Sequence, residues 1–103
     1  MNELKDNEIT FLETGVDIIY ISTVWCPPCK IYKPIIEDIS KEYEKNPNIK
    51  FSKIDAELNR ELAIELGVSG VPTTIFFKDG EEKERKVGMM QKNQVKQIIE
   101  KYA

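Results

Sequence analysis

Residues 16–24, Val-Asp-Ile-Ile-Tyr-Ile-Ser-Thr-Val, form an almost unbroken apolar run rich in β-branched side chains. A strand with one wet face alternates apolar and polar residues. This run does not, so it predicts a strand buried on both faces at the centre of a sheet. A sheet covered on both faces needs helices on both, which points the chain to an α/β layout. The remaining segments supply the parts. Ile49–Asp55 alternates Ile49, Phe51 and Lys53 against Lys50, Ser52 and Ile54. Residues 72–77 and 81–90 flank Asp79-Gly80, the pair a tight hairpin turn favours because both central residues need positive φ. The charged cluster at residues 81–86 reads as the solvated edge of that hairpin.

Helical patterns alternate with these strands. Residues 28–45 place Ile31, Ile35 and Ile39 at four-residue steps, with Ile36 and Tyr43 widening the stripe, and Pro34 predicts a kink. Residues 59–66 put Leu62, Ala63 and Leu66 on one face, with Gly67 as a stop. Lys92–Tyr102 aligns Val95, Ile98, Ile99 and Tyr102. Ahead of Val16, the apolar residues Leu4, Ile9, Phe11 and Leu12 suggest a further helix over residues 2–13. The order helix, strand, helix, strand, helix, hairpin, helix predicts an α/β sandwich with a mixed sheet of four core strands. At 103 residues, positions 1–103 are expected to form one domain.

Composition removes several function classes. A net charge of −3 offers nothing to attract nucleic acid or an anionic membrane. No stretch approaches the roughly 20 apolar residues of a membrane span. The opening residues lack a basic-then-apolar secretory pattern, so a cytoplasmic location is expected. The chain has two cysteines and no histidine, which excludes Ser-His or Cys-His nucleophile activation and an ordinary mixed His and Cys zinc site.

The two thiols are Cys26 and Cys29, separated by Pro27 and Pro28, where the central strand gives way to the first long helix. Two intervening residues let the second sulfur reach the first. The unpaired N–H groups and positive dipole of a helix start stabilise a thiolate on Cys26, with Lys30 adding charge nearby. That makes Cys26 a candidate nucleophile and Cys29 a candidate resolving thiol. Two blander readings stand beside it: half of a metal site completed by a second chain, or two buried small residues.

The segment Trp25-Cys26-Pro27-Pro28-Cys29-Lys30 resembles the active-site motif of thioredoxins, most often Trp-Cys-Gly-Pro-Cys-Lys, and its Pro-Pro version resembles the plant h-type branch. The resemblance continues in register through Pro34, Lys53, Gly70-Val71-Pro72-Thr73, the Phe77-Lys78-Asp79-Gly80 turn and Gly88, covering about residues 15–103. Glutaredoxins are similar in fold, but their double-Gly glutathione-binding signature is absent here. The resemblance implies a thioredoxin-like three-layer α/β/α sandwich and a thiol–disulfide oxidoreductase that reduces protein disulfides. It implies no bound cofactor, a monomer, and recharging by a thioredoxin-reductase-type electron donor. It also implies that Pro72 is a cis-proline facing the thiols, although spacing alone would read it as an ordinary strand-start proline. Trp25, Val71, Gly88 and Met89 would complete an apolar apron for the partner's disulfide. A thiol oxidant or isomerase and a non-catalytic thioredoxin-like binding module are the alternatives.

Three departures from the family pattern carry expectations. Thioredoxins usually bury an Asp six residues before the first Cys, where it assists proton transfer to the resolving thiol; here Tyr20 stands there. A phenol is a poor base near neutrality, so resolution is expected to be slower, or to run through water near Lys53. Second, Pro27 and Pro28 lack N–H groups, leaving only Cys29 and Lys30 as helix-start donors to Cys26. Pro28 is also expected to hold residue 27 out of helical backbone, so that the helix begins at Pro28. Third, only 17 residues precede Ile18, so the family's extra first strand is expected to be short or absent.

Overall fold

The computed structural model describes residues 1–5 and 10–103. In chain order the elements are β1 (Asn2–Glu3), β2 (Val16–Ser22), α1 (Pro27–Glu42), β3 (Ile49–Asp55), α2 (Arg60–Glu65), β4 (Thr73–Lys78), β5 (Glu81–Val87) and α3 (Lys92–Tyr102). The strands form one sheet in the order β1-β3-β2-β4-β5. Strand β2 is central, with β3 parallel on one side and β4 antiparallel on the other. Its residues explain that place: Val16, Ile18, Ile19 and Ile21 are no more than 1% exposed, and full burial of each such side chain contributes about 1.5–3 kcal/mol.

Side chains alternate along a strand, so β2 feeds two cores. Val16, Ile18 and Tyr20 pack with Tyr32, Ile36 and Ile39 of α1 and with Val95 and Ile99 of α3. Ile19 and Ile21 pack with Leu62 of α2, Ile75 and Phe77 of β4, and Leu4. This is the α/β/α sandwich that the central run demands.

Two expectations are corrected. Helix α1 buries Cys29, Tyr32, Ile36 and Ile39, whereas Ile31 faces out at 63% exposure. The buried stripe is therefore rotated away from one running through Ile31. Tyr32 takes the inner position because its hydroxyl finds Thr74 at 2.9 Å, which leaves the ring free to pack. At the N-terminus, the described residues do not form the helix expected over residues 2–13. Asn2 and Glu3 pair in parallel with Ser52 and Lys53, and the Leu4 N–H donates to the Lys53 carbonyl at 2.8 Å. Residues 6–9 lie outside the described residues. An outer edge of β3 lined with unpaired N–H and C=O groups captures the chain. Leu4 and Phe11 still reach the second core, but not from a helix. Among the described residues the sheet thus has five strands, the four core strands and this two-residue addition.

The Asp79-Gly80 turn has the expected positive φ at both residues, 52° and 82°. It closes against Gly15, whose N–H donates to Asp79 Oδ1 at 2.8 Å and whose carbonyl accepts from the Asp79 N–H at 2.9 Å. Gly15 has φ of +124°, and a Cβ there would collide with the Asn48 carbonyl oxygen. Gly15→Ala should therefore destabilise the fold by about 2–3 kcal/mol. Gly80→Ala, with open space around it, should cost only about 1 kcal/mol. Urea midpoints for the two variants check the ranking.

At the far end of α1, Glu42 lies 2.8 Å from both Lys92 and Lys96 of α3. Hydrogen bonds from those lysines hold its carboxyl at about 2, below the usual range. With the folded value below the unfolded one, this contribution is present above the ordinary carboxylate range and is lost as pH falls towards about 2. A carboxyl-detected NMR titration should place Glu42 at about 2, and Lys92→Ala should return it towards the other glutamates.

Candidate active site

Strand β2 ends at Ser22, and Thr23 to Trp25 turn the chain into α1. Cys26 is the N-cap, in extended backbone, and Pro27 and Pro28 occupy the first two helical positions. The helix thus starts one residue earlier than expected. Prolines are tolerated in both places because the first N–H groups of a helix have no partner within it. The first amide that can reach the cap is Cys29, and its N–H donates to Cys26 Sγ at 3.2 Å. The Lys30 N–H goes instead to the Cys26 carbonyl, at 3.3 Å. Of the two donors expected from the sequence, one serves the sulfur.

Cys26 and Cys29 are joined as a disulfide with Cα atoms 5.2 Å apart. Both are largely buried, Cys29 at 3% exposure and Cys26 at 7%. Around them the surface is apolar and open: Trp25 is 78% exposed, and Val24, Ile31, Val87 and Met89 are exposed as well. Trp25 is thus on the outside.

Sheet register brings the other candidates to the same end of the molecule. Ile21 of β2 pairs with Thr73 of β4, so the turn leading to Cys26 leaves the sheet beside Pro72. Thr73 in turn pairs with Val87, and the Gly88 N–H donates to the Pro72 carbonyl at 2.7 Å. The Val71–Pro72 peptide bond is cis. Pro72 is buried, Val71 and Gly88 are half-buried, and the space where a Gly88 side chain would lie is empty. Three segments distant in sequence therefore meet: residues 24–29, 71–73 and 87–89.

A cavity of about 340 Å3 lies beside Cys29, and Tyr20, Cys29 and Lys53 all line it. Tyr20 is 2% exposed, and its hydroxyl donates to the Cys29 carbonyl at 3.0 Å. Burial pushes the phenol above its ordinary value. Glu3, Lys33 and Asp55 share the cavity wall and were not singled out from sequence. Glu3 arrives only through the edge pairing of β1, which no local pattern encodes. Lys33 carried a readable signal, since it lies four residues after Cys29 on the same helix.

A protein-family model for thioredoxin matches residues 5–101 of the chain. The chain belongs to the thioredoxin family. It is 34% identical to the thioredoxin of Staphylococcus saprophyticus over 91 residues, covering 88% of this chain and 86% of that protein. It is 34% identical to the thioredoxin of Chlamydia muridarum over 98 residues, covering 95% and 93%. Among solved structures, a mutant thioredoxin from Halobacterium salinarum superposes with a TM-score of 0.79 at 31% identity, covering 98% of this chain and 90% of that one. Thioredoxin from Fasciola hepatica gives 0.79 at 28% identity, covering 88% and 84%. With thioredoxin membership and a paired Cys26–Cys29 comes the activity: thiol–disulfide exchange that reduces protein disulfides. Among the described residues, no helix is long and apolar enough to cross a membrane.

Proposed function

We propose that Cys26 is the attacking thiol and Cys29 the resolving thiol. The observation that supports this most is the Cys29 N–H aimed at Cys26 Sγ from the start of α1, at 3.2 Å. A thiolate formed on Cys26 would keep that hydrogen bond and sit at the positive end of the helix. It attacks one sulfur of the substrate disulfide, forming a Cys26–substrate disulfide and releasing the other substrate sulfur as a thiolate. Cys29 then gives up its proton and attacks Cys26 Sγ. The intramolecular disulfide closes, the second substrate thiolate leaves, and both product thiolates take up protons from solvent. Two electrons have passed from the cysteine pair to the substrate.

A reductase of the thioredoxin-reductase type returns those electrons, and the chain itself needs no cofactor. Trp25, Val71, Pro72 and Gly88 form the surface on which the substrate chain docks, with the Val71 backbone as its pairing edge. For the Cys29 proton the candidates are Tyr20 and Lys53, both in the cavity wall. Water in that cavity near Lys53 is the better carrier, because the Tyr20 hydroxyl is donating to the Cys29 carbonyl and burial raises its phenol. Residues 1–103 act as one domain, as a monomer in the cytoplasm.

Insulin precipitation with dithiothreitol tests the assignment. Acceleration by the native protein should vanish in Cys26→Ser. In Cys29→Ser a mixed disulfide on Cys26 should accumulate and be seen by mass spectrometry. Acceleration that persists in Cys26→Ser would remove Cys26 as the nucleophile. Trp25→Ala should raise KM for a protein disulfide roughly three- to tenfold while kcat changes little, the signature of a docking residue.

A further inference from the structure

Cys29 is held through both sides of its backbone. Its N–H points at Cys26 Sγ, and its carbonyl accepts the Tyr20 hydroxyl at 3.0 Å. The Tyr20 ring lies edge-on to the Tyr32 ring, with centroids 5.6 Å apart and planes at 75°. The Tyr32 hydroxyl in turn bonds the Thr74 hydroxyl at 2.9 Å. Thr74 is the register partner of Tyr20 across β2 and β4, two residues beyond Pro72. All three side chains are buried, at 2%, 0% and 0% exposure. Buried hydroxyls must find partners or cost stability. These do so in a chain that joins the central strand, the redox helix and the strand carrying the Pro72 loop.

We propose that Tyr20 is a positioning residue for the resolving step, fixing Cys29 through its carbonyl, with Tyr32 and Thr74 bracing the ring of Tyr20. This rests on the assignment of Cys29 as the resolving thiol. Tyr20 does not carry the proton. The Cys29 proton passes to solvent in the adjoining cavity. The charged and titratable groups facing that space are Glu3 of β1, Tyr20 of β2, Lys30 and Lys33 of α1, and Lys53 and Asp55 of β3. Asp55 Oδ1 is already accepting from the Glu57 and Leu58 N–H groups, at 2.9 and 3.1 Å. For Cys29 to displace the substrate, its sulfur must be in line with the Cys26–substrate bond, and small losses of such alignment cost rate. The tethered carbonyl belongs to the peptide unit after Cys29. The amide facing Cys26 Sγ is a separate unit, so loosening one leaves the other in place.

Tyr20→Phe removes the tether and keeps the ring. In single-turnover stopped flow with a disulfide substrate, attack by Cys26 should stay within about twofold of native, while resolution slows roughly three- to tenfold, the size of one buried neutral hydrogen bond. The pH midpoint of the resolving step should not move. An unchanged resolution rate would overturn the positioning role. A shifted midpoint, or loss of an ionisation from the profile, would make Tyr20 the proton carrier and overturn it too. Tyr32→Phe provides an independent arm without touching Cys29. It should slow resolution in the same direction by about twofold, with attack and pH midpoint unchanged, and no effect there would remove the brace. Failure of the cysteine assignment itself would appear separately, as turnover surviving in Cys26→Ser.

Discussion

Burial of β2 on both faces is the constraint from which the rest of this structure follows. A strand with Val16, Ile18, Ile19 and Ile21 all out of water needs a neighbour on each edge and a helical layer on each face. Parallel pairing with β3 forces a crossover, which α1 provides, and antiparallel pairing with β4 brings the start of that strand to the end of β2. Those two pairings put the beginning of α1 beside Pro72. The hairpin to β5 then returns Val87 and Gly88 to the same end. The meeting of the cysteine pair with the two loops is therefore a consequence of sheet register rather than of any attraction among the residues that meet.

Hydrogen bonding to the Cys26 sulfur is correspondingly spare. With no histidine in the chain, no imidazole can pair with a thiol. Two prolines remove the first two amides that might have faced Cys26. What is left is a single N–H, from Cys29, and the helix dipole. That amide is Cys29's own, whereas the Tyr20 hydroxyl bonds the following peptide unit through the Cys29 carbonyl, so the two contacts on Cys29 rest on separate groups.

Much of this was legible in the sequence where short-range physics decides. The centrality of β2 followed from its continuous apolar run, and the Asp79-Gly80 hairpin from the φ requirement of its turn. The position of Cys26 at a helix start followed from a strand run ending just before a helical pattern. The helix expected over residues 2–13 rests on apolar spacing, whereas Asn2 and Glu3 are placed by pairing with the edge of β3 some fifty residues away. The stripe of α1 was misphased for a related reason. Tyr32 is a favourable inward residue only if a hydroxyl partner exists, and Thr74, 42 positions later, supplies it. Tyr20 could be recognised as a departure from the family, but its partner, a backbone carbonyl on another element, has no sequence signature.

The hydroxyl cluster has a physical logic of its own. Helix α1 carries three prolines, at positions 27, 28 and 34. The first two cost no ladder bonds, since their N–H groups would be unpaired at a helix start in any case. Pro34 differs, because its missing N–H would have reached back four residues to the Lys30 carbonyl. The opening turns of α1 are thus short of internal bonding at the place where two sulfurs must be kept in register. Tyr20 bonds the Cys29 carbonyl one residue before that gap, and Tyr32 ties the same stretch of helix to β4. Purely apolar packing would bury as much surface, but it is non-directional. Hydrogen bonds to a named carbonyl and a named hydroxyl fix orientation, which is what a helix weakened near its start requires.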